Sequence, residues 1–135
     1  MTSFIDTHCH LDKLDSTPEE AVKQARQEGV EIMVTISVDE ESFDFVSNAI
    51  IQFKNVYGTV GIHPHDASEF NPSMEQSILK MAREHDKIIA IGETGLDYHY
   101  MNSSAENQQF AFRKQLQIAV ELLSLIHISE PTRPY

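Results

Sequence analysis

Ser3-Phe4-Ile5-Asp6-Thr7-His8-Cys9-His10-Leu11-Asp12, followed by Thr17-Pro18-Glu19-Glu20, is the stretch on which the fold turns. Ser3 to Thr7 are short, largely apolar and β-branched in part, as buried parallel strands are. The second piece opens a helix: a threonine in the cap position, proline at the first helical position and a glutamate three residues after the cap. That helix is expected to end near Gly29, where a glycine can take the left-handed turn that stops it.

The same strand-then-helix unit recurs three times. Ile32-Met33-Val34-Thr35-Ile36, Val56-Tyr57-Gly58-Thr59-Val60 and Ile88-Ile89-Ala90-Ile91 are the further strands. Between and after them, Phe43, Val46, Ile50 and Phe53 fall on one helical face, and Asn71-Pro72 starts a helix with Ile78, Met81 and Ala82 facing inward. Ser103-x-x-Glu106 opens a last helix carrying Phe110, Leu116, Ala119, Val120 and Leu123. Four βα units of about 30 residues each imply an α/β protein built on a parallel sheet. Four is half of an eight-unit barrel, whose usual length is about 250 residues. The expected architecture is therefore the N-terminal half of a (β/α)8 TIM barrel. A doubly wound sheet would need a phosphate loop, and neither G-x-G-x-x-G nor a Walker pattern is present.

Bulk composition narrows the classes of function. The 135 residues are 41% hydrophobic and 23% charged, ordinary for a soluble globular domain. A lone Cys9 excludes an internal disulfide framework and fits a reducing, cytoplasmic compartment. No signal peptide and no apolar run of about 20 residues is visible, so no membrane association is expected. Nothing marks an obligate protein partner. The net charge of −11 argues against a broad phosphate-binding surface. A nucleic-acid substrate would be held at a strand end by a local pocket and a metal, and a small phosphodiester would fit equally.

Three segments carry chemistry, and each follows a strand. In Asp6-Thr7-His8-Cys9-His10-Leu11-Asp12 the two histidines lie two apart, which on a strand points both imidazoles to one side. Such a pair can grip one divalent ion. Gly92-Glu93-Thr94-Gly95-Leu96-Asp97-Tyr98-His99 offers Glu93 as a third ligand able to bridge two ions. Gly61-Ile62-His63-Pro64-His65-Asp66 offers His63 and His65 as donors to substrate phosphate or as outer partners that orient the metal ligands. His85, between Glu84 and Asp86, reads as a surface residue. In a barrel the strand ends share one rim, so His8, His10 and Glu93 should lie within about 10 Å, the reach of a two-ion site.

In their order and spacing, Asp6-Thr7-His8-x-His10-Leu11-Asp12, Gly61-Ile62-His63-Pro64-His65 and Gly92-Glu93-x-Gly95-Leu96-Asp97-Tyr98 resemble the TatD hydrolase family. Gln109-x-x-Phe112 and Gln115-Leu116-x-Ile118-Ala119-x-Glu121-Leu122 add to the likeness, which runs from about residue 3 to residue 122. The resemblance implies a barrel of the metal-dependent hydrolase type. His8 and His10 would bind one divalent metal, and Glu93 would bridge it to a second and serve catalysis. Magnesium, manganese or zinc is expected. The implied activity is that of a deoxyribonuclease, of the kind that trims DNA from the 3′ end.

The family's remaining ligands, two histidines and an aspartate, belong to a second half of the barrel. Residues 123–135, LSLIHISEPTRPY, instead resemble the translation of a transposase-type sequencing adapter. The native sequence is expected to end near Leu122 or Leu123, leaving 1–122 as the barrel half and 123–135 as a non-native tail. His127, two residues early and without the family's preceding proline, is then expected to carry no functional weight. The chain as it stands is expected to be inert. Two rivals remain at this point. One is an amidohydrolase acting on amides or esters, aminoacylated transfer RNA included, although Glu93 stands where many of those have a carbamylated lysine. The other is a non-catalytic truncated product.

Overall fold

A computed structural model describes residues 2–122 and 124–128. The order of elements is β1 (Phe4–Cys9), α1 (Pro18–Gln27), β2 (Val30–Thr35), α2 (Glu40–Gln52), β3 (Val56–Val60), α3 (Pro72–Glu84), β4 (Ile88–Thr94), α4 (Ala105–Glu121) and β5 (Leu125–Ile128). Short 3-10 turns follow β1 at Leu11–Lys13 and β3 at Pro64–Glu69. The strands form one parallel sheet in the order β1-β2-β3-β4-β5, so each βα unit lays its strand beside the one before. This is a partial (β/α)8 barrel, as the repeat of four units required.

The helix starts follow the sequence closely. Thr17 and Glu20 form a reciprocal capping box on α1, and Gly29 ends the unit at φ 90°. Asn71 caps α3 through the backbone nitrogens of Ser73 and Met74. Phe43, Val46 and Ile50 of α2, and Ile78 and Met81 of α3, are buried in one core with Val56, Val60 and Ile91 of the sheet.

Three expectations are corrected. β1 is not a buried strand: Phe4 is 56% and Ile5 60% exposed, because β1 is the edge of the sheet and only β2 covers it. α4 is capped by Ser104, not Ser103; Ser103 is buried, its hydroxyl donating to the His65 carbonyl and accepting from the Ser68 amide. The inward face of α4 is also different. Phe110, Leu116 and Val120 are exposed, while Gln108, Ala111, Gln115, Ile118 and Ala119 are buried. The two glutamines defeat a reading based on apolar residues alone, since each replaces apolar burial with hydrogen bonds to backbone. Gln115 is fully buried, accepting from the Ile62 amide at 2.8 Å and donating to the Ile62 carbonyl at 3.1 Å.

Leu125–Ile128 forms β5 beside β4, with Gly92 opposite His127. A short apolar segment can satisfy the hydrogen-bonding groups of an open sheet edge whatever its origin. Leu123 and residues 129–135, the remainder of the expected tail, lie outside the described residues. No described helix is long and apolar enough to cross a membrane.

Candidate metal centre

The ends of successive strands are latched to one another, and this fixes the site. The amide of Ile36 donates to the Cys9 carbonyl, that of Glu93 to the Ser37 carbonyl at 2.8 Å, and that of His63 to the Val38 carbonyl at 2.7 Å. Ser37 is fully buried at the centre of the latch. Its hydroxyl accepts from the Gly61 amide at 2.9 Å and lies 3.4 Å from the carbonyls of both Gly61 and Gly92. Gly61 and Gly92 pass so closely that a Cβ on Gly61 would stand 2.5 Å from the Gly92 Cα. Sequence reasoning missed Ser37, because a serine within Val34-Thr35-Ile36-Ser37-Val38 carries no signal of its own.

On this frame three of the expected ligands converge. His8 lies in β1, His10 just beyond it, and Glu93 is the last residue but one of β4. Glu93 Oε2 is 3.7 Å from His8 Nε2 and 4.0 Å from His10 Nε2. One donor atom from each residue fits within a 4.8 Å spread. Glu93 is buried, so its carboxylate needs a compensating positive charge or donors.

The donor set fits a cation. His8 Nε2 stands 3.2 Å from His10 Nε2, and His8 Nδ1 stands 2.8 Å from His127 Nε2. Burial, with the neighbouring His8 and Lys13 adding to it, pushes His10 below its ordinary value. His10 Nδ1 is buried with no partner among the described residues.

His63 and His65 stand beside this cluster but are oriented differently. His63 Nδ1 accepts from the His65 amide at 3.1 Å, so the ring proton belongs on Nε2, which faces Glu93 Oε1 at 3.6 Å. His65 turns away from Glu93, its Nε2 lying 2.7 Å from Asp97 Oδ2. Burial opposes the charge on Asp97, but hydrogen bonds from His65 and from the Tyr100 and His99 amides hold its carboxyl below the usual range. Asp97 was read only as part of a motif; its role in holding His65 was invisible in one dimension.

His8, His10, His63, His65 and Glu93, with Lys13 and Asp66 at the rim, line a cavity of about 280 Å³. His127, set aside in the sequence reading, is brought against His8 by β5. His85 is half-buried, with Nε2 3.4 Å from the Ser47 hydroxyl, away from the cavity.

With this geometry in place, comparison with known proteins decides the family. A profile of the TatD related DNase family matches residues 5–132. The chain belongs to that family. It is 34% identical over 133 residues to an uncharacterized metal-dependent hydrolase, YabD, of Bacillus subtilis, covering 96% of this chain and 52% of the relative. It is 34% identical over 104 residues to the 3′-5′ ssDNA/RNA exonuclease TatD of Klebsiella pneumoniae, covering 77% of this chain and 39% of the relative. Among solved structures, the TatD homologue YJJV of Escherichia coli superposes with a TM-score of 0.82 at 26% identity, over 91% of this chain and 49% of that one. This TatD-family chain thus spans about half the length of the curated relatives it matches.

Proposed function

We propose that the whole protein is a metal-dependent phosphodiesterase acting on the ends of nucleic-acid strands, a deoxyribonuclease of the 3′-5′ exonuclease type. The observation that carries this reading is the convergence of His8, His10 and Glu93 within 4.8 Å at the strand ends of a TatD-family barrel half. The exonuclease name of the Klebsiella relative supports the nucleic-acid substrate. His8 and His10 supply ring nitrogens, and Glu93 supplies a carboxylate able to reach one ion or bridge two. The mixed nitrogen and oxygen set suits manganese or zinc, with magnesium as the harder alternative.

When bound, a divalent cation supplies Lewis acidity toward a phosphoryl oxygen and lowers the pKa of water toward about 7. The protein's own groups do the positioning. His63, with its proton on Nε2 and its half-buried ring beside Glu93, donates toward a phosphate oxygen in the cavity. His65 has its Nε2 committed to Asp97, so it addresses a ligand through Nδ1 or its ring face. The acidic chain repels bulk duplex, which favours engagement of a strand end over a long groove.

The test is metal-dependent release of nucleotides from single-stranded DNA by the full-length protein. Loss of release in His8→Ala/His10→Ala supports the assignment, and equal activity rejects it. An amidohydrolase, acting on aminoacylated transfer RNA for example, would cleave an ester or amide substrate and leave DNA intact. Glu93 in place of a carbamylated lysine favours the phosphodiesterase. We also infer that residues 123–135 are a non-native tail and that the chain as given is inert. Genomic sequence past Leu122 tests the first, and turnover by residues 1–135 would contradict the second.

A further inference from the structure

Tyr100, in the loop that follows β4, is 68% exposed and packs against His65 of the cavity wall. It is not a stray surface aromatic. A row of rings leads outward from Glu93: His63, then His65 with centroids 4.4 Å apart, then Tyr100 a further 5.9 Å on, each pair edge to face. His99 also stands near-perpendicular to Tyr100, centroids 4.6 Å apart.

The loop that presents the ring is held from several directions. Asp97 Oδ1 accepts from the His99 amide at 3.0 Å and the Tyr100 amide at 3.2 Å, while Oδ2 receives His65. Gln108, fully buried, accepts from the Asp97 amide at 2.7 Å and donates to the carbonyls of Asp97 and Ser103. The Tyr98 hydroxyl accepts from Gln109 at 2.9 Å. Met101, next to Tyr100, sits at φ 51°, a left-handed conformation that a non-glycine residue adopts at a cost and that gathers at functional loops. The result is a loop braced by hydrogen bonds that carries two exposed residues, Tyr100 and Met101, one ring beyond His65.

We propose that Tyr100 is a stacking platform for a nucleobase, the one adjoining the phosphate that enters the cavity. Every base has a π-face, and such stacking holds single strands without reading their sequence. On an acidic protein, where phosphate contacts contribute little, a base-stacking contact supplies affinity that charge cannot. Interior base pairs of a duplex are stacked on both faces, whereas every base of a single strand can offer one, so the same ring favours single-stranded ends over the body of a duplex. The proposal rests on the phosphodiesterase reading and names the part of the substrate next to the scissile bond.

The test is a binding titration of the full chain with a short single-stranded oligonucleotide, and with the same oligonucleotide carrying an abasic terminal nucleotide. Tyr100→Ala should weaken binding of the base-ended strand about 5- to 100-fold, the range alanine substitution gives at stacked bases. Tyr100→Phe and Tyr100→Trp should keep it within about threefold, and the abasic strand should be indifferent to all three variants. Manganese affinity should be the same in Tyr100→Ala as in the parent, showing that the site is intact. Unchanged affinity of Tyr100→Ala for the base-ended strand, or no binding of either strand by the parent chain, overturns the proposal. Failure of the phosphodiesterase reading would show differently, as a full-length protein that cleaves neither base-bearing nor abasic diesters.

Discussion

His65 Nε2 lies 2.7 Å from Asp97 Oδ2, and this contact joins the loop after β3 to the loop after β4 beside the candidate metal centre. Asp97→Ala would release His65 and remove the acceptor for two backbone amides. A stability loss of about 1–3 kcal/mol is expected, measured by denaturant unfolding. Metal affinity should fall by less than about tenfold, since Asp97 is not among the ligand atoms.

Metal binding should be readable as stability even where turnover is absent. At a concentration about 100 times its dissociation constant, manganese or zinc should stabilise the fold by about 2.7 kcal/mol, seen as a raised Tm. His8→Ala/His10→Ala should abolish this increment. His127→Ala should leave it unchanged if the tail carries no function; a matching loss in that variant would instead bring His127 into the site.

Gln115 is a buried polar side chain whose value lies in its partners. Replacing it by leucine strands the amide and carbonyl of Ile62, both of which Gln115 satisfies. Gln115→Leu should cost about 2–4 kcal/mol by thermal or chemical unfolding, in spite of the added apolar volume.

Gly61 has no room for a methyl group, because the nearest atoms are backbone of Gly92 at 2.5–2.7 Å. Gly61→Ala must push β3 and β4 apart, which moves Glu93, the neighbour of Gly92. We expect about 1–3 kcal/mol of destabilisation together with weaker metal binding, a pairing that calorimetric titration of the folded variant detects.

Cys9 lies between the two histidines, yet it should be unreactive. Burial, then the charges of Asp6 and Asp12, push its thiol up to about 12, and Sγ contacts the Val34 carbonyl at 3.3 Å. The thiolate is the nucleophile, so iodoacetamide at about pH 8 should leave the folded protein unmodified and label it on unfolding. Rapid labelling of the folded chain would contradict this.

The local grammar of the chain was legible before any coordinates. The caps at Thr17 and Asn71, the glycine stop at Gly29, the β-branched strands and the inward faces of α2 and α3 depend on residues within four positions of one another. The candidate ligands were legible too, because a histidine or carboxylate just past a strand announces itself by type and position. What a one-dimensional reading could not supply was anything that depends on which neighbour lies alongside. The exposure of β1 follows from its place at the sheet edge, the buried face of α4 from two glutamines finding Ile62, Asp97 and Ser103, and the hold on Glu93 from Ser37 reaching two other strands. Hydrogen bonds and packing act over a few ångströms without regard to chain separation, so the sequence determined the units and the chemical groups they carry. Only the tertiary structure decided which of those groups meet.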